Sequence, residues 1–538
     1  MNITVVCLII MLLLFSTVLT AAQETQWHAT GRKGAVVAGG RPAMEAGLAT
    51  LREGGNAADA AVATILALSV TDSEKFCFGS EVSILVYDAR RNVVEVVSGQ
   101  GVAPRLATLE HFAGRGIPSS GPEAATVPAV LDACLTLLDR YGTWTFAQAV
   151  QPTLSLLDRN RQPWHANLAR TLRRLIDAER AGGDRRRGLR LVADCFYRGP
   201  IAHELDAWSR ANGGLIRYSD LATHVTRIEE PVHADYRGYS VYKCGPWTQG
   251  PCLLQALKIL EGFDMKALGR HSAASVHLLL EATKLAMADR DTYFGDPLFV
   301  DVPLAKLMDP SYIVARRALI DPRKASLEYR PGDAGMVPPG AAPAPGRQMD
   351  TTTCVVVDEA RNVIAATPSG WGGAMAGATG IRLGSRLQSF NTTPGHPNCL
   401  EPGKRPRSTL TPTLVLRDGR PVLALSVAGG DAQDQAMLQM LSDYIDYGVS
   451  VPDIVRAPRY ITNHLIGSFG QPRPQPGSVQ AGNDLPAKLV EELTAMGHRI
   501  SQSQEGPEYE RAMIAIDAAG GELRAAGDPA YSRNAGGM

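Results

Sequence analysis

Met349-Asp350-Thr351-Thr352-Thr353-Cys354-Val355-Val356-Val357-Asp358 sets three threonines after an acidic residue and runs them into a short apolar segment. Residues 354–357 are apolar and rich in β-branched side chains, and residues 358–362 break the run, so the segment reads as a buried strand. A threonine at the head of a strand is ordinarily a β-former and nothing more. The surrounding chain gives this one a second reading. Residues 363–366 return as the other arm of a hairpin, and residues 411–416 and 422–427 form another around Asp418-Gly419. Gly429-Gly430 follows the last strand, and Asp431 opens a helix that runs to Tyr447. Backbone N–H groups at such a turn, on a helix N-terminus, make a ready oxyanion site.

Upstream of the triplet, residues 330–347 are rich in Pro, Gly and Ala and read as a flexible exposed linker. A strippable segment directly before Asp350-Thr351 is what a self-processing enzyme needs. Further back, residues 34–39 form a strand candidate and residues 43–52 a helix closed by Gly54-Gly55. Asn56 caps a second helix over residues 57–68, so uniformly small and apolar that it is expected buried on most sides. Asp59 near its start is expected to be a satisfied packing residue. Residues 82–87 and 93–97 read as two strands joined by a polar turn. Residues 122–210 turn helical, with Tyr141-Gly142 as a turn and residues 180–190, rich in arginine, as a solvated basic loop. Residues 236–241 look like a strand and residues 250–260 a helix. Residues 271–294 form a long helix stopped by Gly295-Asp296-Pro297; Asp289, Arg290 and Asp291 at its end are either a site or an ion network. Strands and helices come in blocks without strict βαβ alternation, which argues for a layered α+β fold with antiparallel sheets.

The 538 residues carry 54 Lys+Arg against 54 Asp+Glu, a balance that gives no reason to expect a nucleic acid as partner. The length allows a large core and about two to four domains. Residues 1–22 read as an export signal, apolar over residues 5–19 with Thr20-Ala21-Ala22 for cleavage, and short for a membrane span. The missing Lys or Arg before the apolar run keeps an uncleaved anchor as the alternative. The chain is therefore expected to be exported, to the periplasm or outside the cell. Seven cysteines follow the signal, an odd number, and are expected to be mostly buried free thiols with room for one disulfide. None has metal-ligand spacing, and there is no nucleotide loop, so neither metal nor cofactor is expected. Asn391-Thr392-Thr393 is a glycosylation sequon.

Taken together, these features resemble the γ-glutamyltransferase (glutathione hydrolase) family of N-terminal-nucleophile hydrolases. The resemblance spans residues 34–527 and is carried by residues 53–63, the block 289–297, Asp350-Thr351-Thr352, residues 402–410, Gly429-Gly430 and Ala457-Pro458-Arg459, in that order. It implies a four-layer αββα sandwich and a proenzyme cut between Asp350 and Thr351. The products would be a large subunit, residues 23–350, and a small catalytic one, residues 351–538, held as a heterodimer. Thr351 would be the nucleophile, Gly429 and Gly430 the oxyanion hole, and Ser369 a hydroxyl beside the nucleophile. Ser408 and Thr409 match the pair that contacts the substrate's carboxylate, and γ-glutamyl compounds such as glutathione are the implied substrates.

The chain also departs from that pattern. The arginine that holds the α-carboxylate of γ-glutamyl substrates is matched by Gln100, before Ala103-Pro104, and the acidic residue that holds the α-amine by Ser389, before Phe390. Losing a charge-assisted bond at each end costs roughly 1.5–3 kcal/mol apiece. New groups appear in Arg386, Arg407, Asp431 and Trp371, and the Gly-rich turn after the second helix reads Cys77-Phe78-Gly79-Ser80-Glu81. The second reading is therefore the same machinery on another small amide, oxamate-like or an acyl side chain, with Arg386 or Arg407 holding a carboxylate. A third is an uncut, non-catalytic binding scaffold.

Overall fold

The structure is a computed structural model that describes residues 25–334, 351–370, 373–517 and 520–538. The expected signal, most of the linker with Asp350, and Trp371 lie outside the described residues.

Two seven-stranded antiparallel sheets form the centre. The first runs in the order Arg533–Gly537, Gly34–Gly39, Cys354–Asp358, Val363–Ser369, Glu81–Asp88, Val93–Gly99, Arg227–Glu229. The second runs His28–Gly31, Leu523–Gly527, Glu510–Ile516, Arg420–Ala428, Thr413–Arg417, Tyr239–Lys243, Val232–Tyr236. A small third sheet joins Tyr460–Ile461, Ser478–Gly482 and Arg499–Ser503.

Alternation along the strand Cys354–Asp358 explains why it is apolar on both faces. Val355 and Val357 pack between the sheets with Leu414, Ala424 and Ile514. Cys354 and Val356 pack outward against helices. Those helices, Arg41–Arg52, Ala57–Thr71, Val130–Tyr141 and the ones that follow, cover the first sheet. Gly250–Leu260, Ala273–Tyr293 and Ala432–Ile445 cover the second. The result is the αββα sandwich. Each buried Val, Leu or Ile in these three apolar layers contributes about 1.5–3 kcal/mol of transfer free energy.

The helix Ala57–Thr71 starts where its cap dictates. Asn56 accepts from the amides of Ala58 and Asp59, and Asp59 accepts in return from the Asn56 amide. Asp59 also takes Thr143 N at 2.8 Å and Trp144 N at 3.0 Å, so its charge is satisfied and it welds two helices together.

Three expectations need correction. The basic stretch 180–190 is not a loop: Asp184 caps a helix, Arg185–Tyr197, and Arg185 donates to the Gly142 and Trp144 carbonyls. Long arginine stems are good helix formers, and here one guanidinium closes the end of a neighbouring helix. Residues 236–241 are not one strand but the tip of the hairpin Val232–Tyr236/Tyr239–Lys243, turned by Arg237 and Gly238 at φ 50° and 82°. The start of the linker is held in place: Gly332 N donates to Asp289 at 2.7 Å and Ala334 N to the Tyr293 hydroxyl at 3.0 Å. The seven cysteines among the described residues are all free thiols, buried except for the half-buried Cys195.

Candidate active site

Strand pairing builds a row of three side chains at one end of the first sheet. Cys354 faces Ala366, and Thr352 N donates to Pro368 O at 2.8 Å, so the ladder brings Thr351 opposite Ser369. Ser369 in turn faces Glu81 across the next ladder. Residues 351, 369 and 81 continue the alternation of Val355, Ala365 and Leu85, which point into the space between the sheets. Thr351 Oγ1 lies 3.4 Å from Ser369 Oγ.

Arg386 completes the row from a short 3-10 turn, Arg386–Ser389. Its Nη2 donates to Ser369 Oγ at 2.6 Å and its Nε to Glu81 Oε1 at 2.7 Å. Nη1 reaches Ser389 Oγ at 3.5 Å, and the guanidinium lies 5.6 Å from the centre of the Phe469 ring. Arg386 and Glu81 are 2% and 0% exposed, so this is a fully desolvated ion pair one hydroxyl away from Thr351.

The glycine turn approaches from the second sheet. Gly429 and Gly430 follow the strand Arg420–Ala428 at φ 130° and 55°, conformations that favour glycine. Their carbonyls accept from Ala432 N and Gln433 N, the first amides of the helix Ala432–Ile445. Asp431 sits at the N-cap, where the dipole favours its charge. Burial works against the Asp431 carboxylate, but the Arg290 guanidinium and the Ser468 hydroxyl and amide hold it below the usual range. Gly429, Gly430 and Asp431 line a cavity of about 270 Å³, walled by Ile461, Leu465 and Phe469 and rimmed by the exposed Arg473 and Glu508.

The two halves are tied together by Arg533. Its Nη1 donates to Thr352 Oγ1 at 2.6 Å and to Asp72 Oδ2 at 2.6 Å, and its Nη2 pairs with Glu510 Oε2 at 2.6 Å. Glu510 also holds Lys75, and it faces Ala428 across the ladder, next to the glycine turn. Burial pushes the Glu510 carboxyl up, offset in part by Arg533 and Lys75; at Asp72 burial is outweighed and the carboxyl is held low. Thr367 Oγ1 and Ser426 Oγ, 3.1 Å apart, join the sheets two residues behind the site.

This arrangement can be set beside known proteins. The sequence matches the family described as Gamma-glutamyltranspeptidase over residues 43–160 and 159–538. The chain belongs to the γ-glutamyltranspeptidase family. It is 32% identical over 476 residues to a glutathione hydrolase proenzyme of Pseudomonas sp. (strain A14), covering 79% of this chain and 81% of that protein. It is 31% identical over 521 residues to the acylase ACY 1 proenzyme of Pseudomonas sp. (strain SE83), covering 88% of each. The cephalosporin acylase of Bacillus halodurans superposes with a TM-score of 0.79 at 25% identity over 96% of this chain and 98% of that one. This γ-glutamyltranspeptidase-family chain is thus an N-terminal-nucleophile hydrolase of the amide-hydrolysing and acyl-transferring kind.

The other residues expected at the site are placed as follows. Ser408 Oγ accepts from Leu410 N at 3.1 Å, and Ser408 is backbone-paired to Trp247 and Gln249. Gln249 reaches the Gly430 carbonyl at 3.4 Å, which brings Ser408 to the back of the glycine turn. Thr409 Oγ1 is buried with no hydrogen-bond partner among the described residues. Arg407 is engaged elsewhere: Nη1 donates to Arg290 O at 3.0 Å and Nη2 lies 3.4 Å from Asp291 Oδ1. Burial and the neighbouring Arg290 lower its pKa to about 10. Asp289, Arg290 and Asp291 are therefore a buried ion network at a helix end. Gln100, one step beyond the Val82–Gly99 pair, lines a different cavity with Arg405 and Asp220. Reading the sequence did not single out Glu81, Arg533 or Glu510; Glu81 stood only as a departure in a Gly-rich turn.

Among the described residues, His277, Glu281 and His498 form the one cluster with metal-ligand spacing. His277 Nδ1 lies 2.9 Å from His498 Nε2, and Glu281 is already paired with Lys284 and Arg330. A cation there would meet two cations, so the cluster fits a hydrogen-bonded histidine pair better than a metal.

Proposed function

We propose that the chain cuts itself between Asp350 and Thr351 and then works as an amide hydrolase or acyltransferase with Thr351 as nucleophile. The observation that carries this is the Thr351 hydroxyl, 3.4 Å from Ser369 Oγ in the space between the sheets. In the cut, Thr351 Oγ bonds to the Asp350 carbonyl carbon, the C–N bond breaks, and the hydroxyl proton ends on the released nitrogen. Water then hydrolyses the ester. Residues 23–350 and 351–538 remain together as a heterodimer, and residues 1–22 serve as the export signal.

The cut creates an α-amine on Thr351 with a reference pKa of roughly 7.7–8.0, a fitting base for its own hydroxyl near neutral pH. During turnover Oγ bonds to the substrate acyl carbon, the amide C–N bond breaks, and the amine passes its proton to the leaving nitrogen. Water, or an acceptor amine, then takes the acyl group. The β-methyl of threonine restricts χ1 and aims Oγ. Gly429 and Gly430 N–H groups hold the oxyanion, each donor worth roughly 2.7–4 kcal/mol.

γ-Glutamyl compounds such as glutathione are the family-implied substrates, and relatives of this chain carry the names of glutathione hydrolases and of acylases. Gln100 and Ser389 favour the second reading, an acyl group other than γ-glutamyl. Neither brings a charge to a zwitterionic head, and Ser389 is already within reach of Arg386.

Intact mass of the purified protein under denaturing conditions, beside Thr351→Ala, tests the nucleophile. Two fragments, the smaller starting at Thr351, with one uncut chain in the variant, are expected. One uncut chain in both would return the protein to the scaffold reading. Glutathione hydrolysis at the level of glutathione hydrolases would overturn the rebuilt acyl pocket and leave the nucleophile standing.

A further inference from the structure

We propose that Glu81 is a positioning residue for the Thr351 nucleophile, acting through Arg386 and Ser369; the proposal rests on the reading of Thr351 above. Glu81 faces Ser369 directly across the ladder, and the Arg386 guanidinium bridges the two, Nε to Glu81 Oε1 at 2.7 Å and Nη2 to Ser369 Oγ at 2.6 Å. An arginine can only donate, so Ser369 Oγ accepts from it. Ser369 Oγ also accepts from the Thr351 hydroxyl at 3.4 Å, so the row fixes where the nucleophile's own hydrogen points.

The bridge needs both the charge and the fork of the two residues. A guanidinium presents parallel donors at fixed spacing, which an ammonium cannot reproduce. Glu81 sits in a strand and its length is set by pairing on both sides, with Val363–Ser369 and Val93–Gly99, so its carboxylate is a rigid anchor. Without that anchor the buried guanidinium loses the Glu81 charge and its aim at Ser369. Arg386 serves here as an internal donor, not as a receptor for a substrate carboxylate, because its Nε and Nη2 are both committed within the protein.

By accepting the Thr351 hydroxyl hydrogen, Ser369 Oγ fixes the rotamer from which Thr351 Oγ attacks. That positioning is already needed in the self-cut, so the test needs no knowledge of the substrate. The full chain is followed by intact mass as it converts from one piece to two, for wild type, Glu81→Gln, Glu81→Asp, Arg386→Gln and the double variant Glu81→Gln/Arg386→Gln.

Glu81→Gln keeps the shape and removes the charge; a cut ten- to a hundredfold slower is expected. Glu81→Asp should return to within about threefold of wild type. The double variant should be no slower than Arg386→Gln alone, since both act through one route. Glutaryl and phenylacetyl p-nitroanilides, as anionic and neutral acyl probes, are then compared on the processed forms. Arg386 variants should lower kcat for whichever is turned over and leave KM within threefold.

A Glu81→Gln precursor that cuts at the wild-type rate overturns the assignment. So does an Arg386 variant whose loss lies wholly in KM for the glutaryl probe, which would make Arg386 a carboxylate receptor. Where Glu81→Gln does not accumulate folded, Arg386→Lys replaces it, with at least tenfold slowing expected and the wild-type rate again overturning the assignment. Wild type that never cuts fails the Thr351 reading itself, a result distinct from wild type and Glu81→Gln cutting alike.

Discussion

Gly429→Ala is the most direct perturbation of the glycine turn. A Cβ at Gly429 would lie 2.7 Å from Tyr509 Cβ, 2.9 Å from Tyr509 Cα and 3.0 Å from Glu508 O. Two of these are backbone atoms, next to the Glu510–Ala428 pair of the central sheet, and cannot swing aside. The turn itself must move by roughly 0.4–0.7 Å to restore ordinary contact near 3.4 Å. Oxyanion donors act over about 2.7–3.1 Å, so such a shift takes one donor out of range and costs roughly 10²–10³ in kcat. The φ of 130° adds backbone strain, and together the two effects destabilise the protein by roughly 1–3 kcal/mol. Gly430→Ala is the control: its Cβ meets only Phe469 Cε2 at 3.3 Å, and its φ of 55° is left-handed helical, costing about 1–2 kcal/mol. It should lose less than tenfold. The assay is the rate of the self-cut by intact mass, then kcat on the processed form, with Tm alongside. Wild-type rates in Gly429→Ala, or a larger loss in Gly430→Ala than in Gly429→Ala, would refute the oxyanion role of the turn as placed.

Arg533→Met should destabilise the protein by about 3–5 kcal/mol in denaturant unfolding, because it leaves the buried Glu510 and the half-buried Asp72 with Lys75 alone; a loss below about 1 kcal/mol would show that the network carries little. Acid should weaken the fold well above the carboxylate range. Burial, reinforced by nearby cations, lowers His396 and His464 to about 4 and His498 to about 3. Their folded pKa values lie below the unfolded 6.5, so the unfolded chain binds protons first as pH falls. Stability is full above about pH 6.5 and drops by roughly 1.4 kcal/mol per pH unit per histidine down to the folded pKa. Tm recorded from pH 7 to pH 5 should fall steadily, and a flat profile would contradict the neutral, buried state of all three.

What was legible in the sequence was local. Asn56 before an all-small helix, the hairpin at Asp418-Gly419 and the glycine pair before Asp431 are each written within a few residues, and each element formed where its caps and turns put it. Aromatic and β-branched residues on both sides of Arg237-Gly238 hid a hairpin inside what looked like one strand. Arginine reads as solvent-seeking, which disguised the capped helix at Arg185. The candidate site was legible as far as its residues are neighbours in sequence. Its remaining parts come from pairing over long separations. Arg386 and Arg407 look alike in the sequence, and what separates them is Glu81 and Asp291, both distant along the chain. Arg533 touches Thr352 only because the last strand lies beside Gly34–Gly39, which lies beside the strand of the threonines.

That last adjacency bears on what would follow the proposed cut. Gly34–Gly39 lies between Arg533–Gly537 and Cys354–Asp358, and Val363–Ser369 borders Glu81–Asp88; in the other sheet His28–Gly31 borders Leu523–Gly527, and Tyr239–Lys243 borders Thr413–Arg417. Residues before and after Asp350 are therefore woven through both sheets at five seams. A fragment pulled out would expose bare strand edges on both partners, so separation and unfolding are one event. In one chain the halves find each other intramolecularly; once cut, their reassembly would be a second-order encounter, dependent on concentration and open to aggregation. A processed enzyme would thus be a product of its precursor's history, and regaining it from denatured pieces would call for conditions that an uncut Thr351→Ala chain would not require.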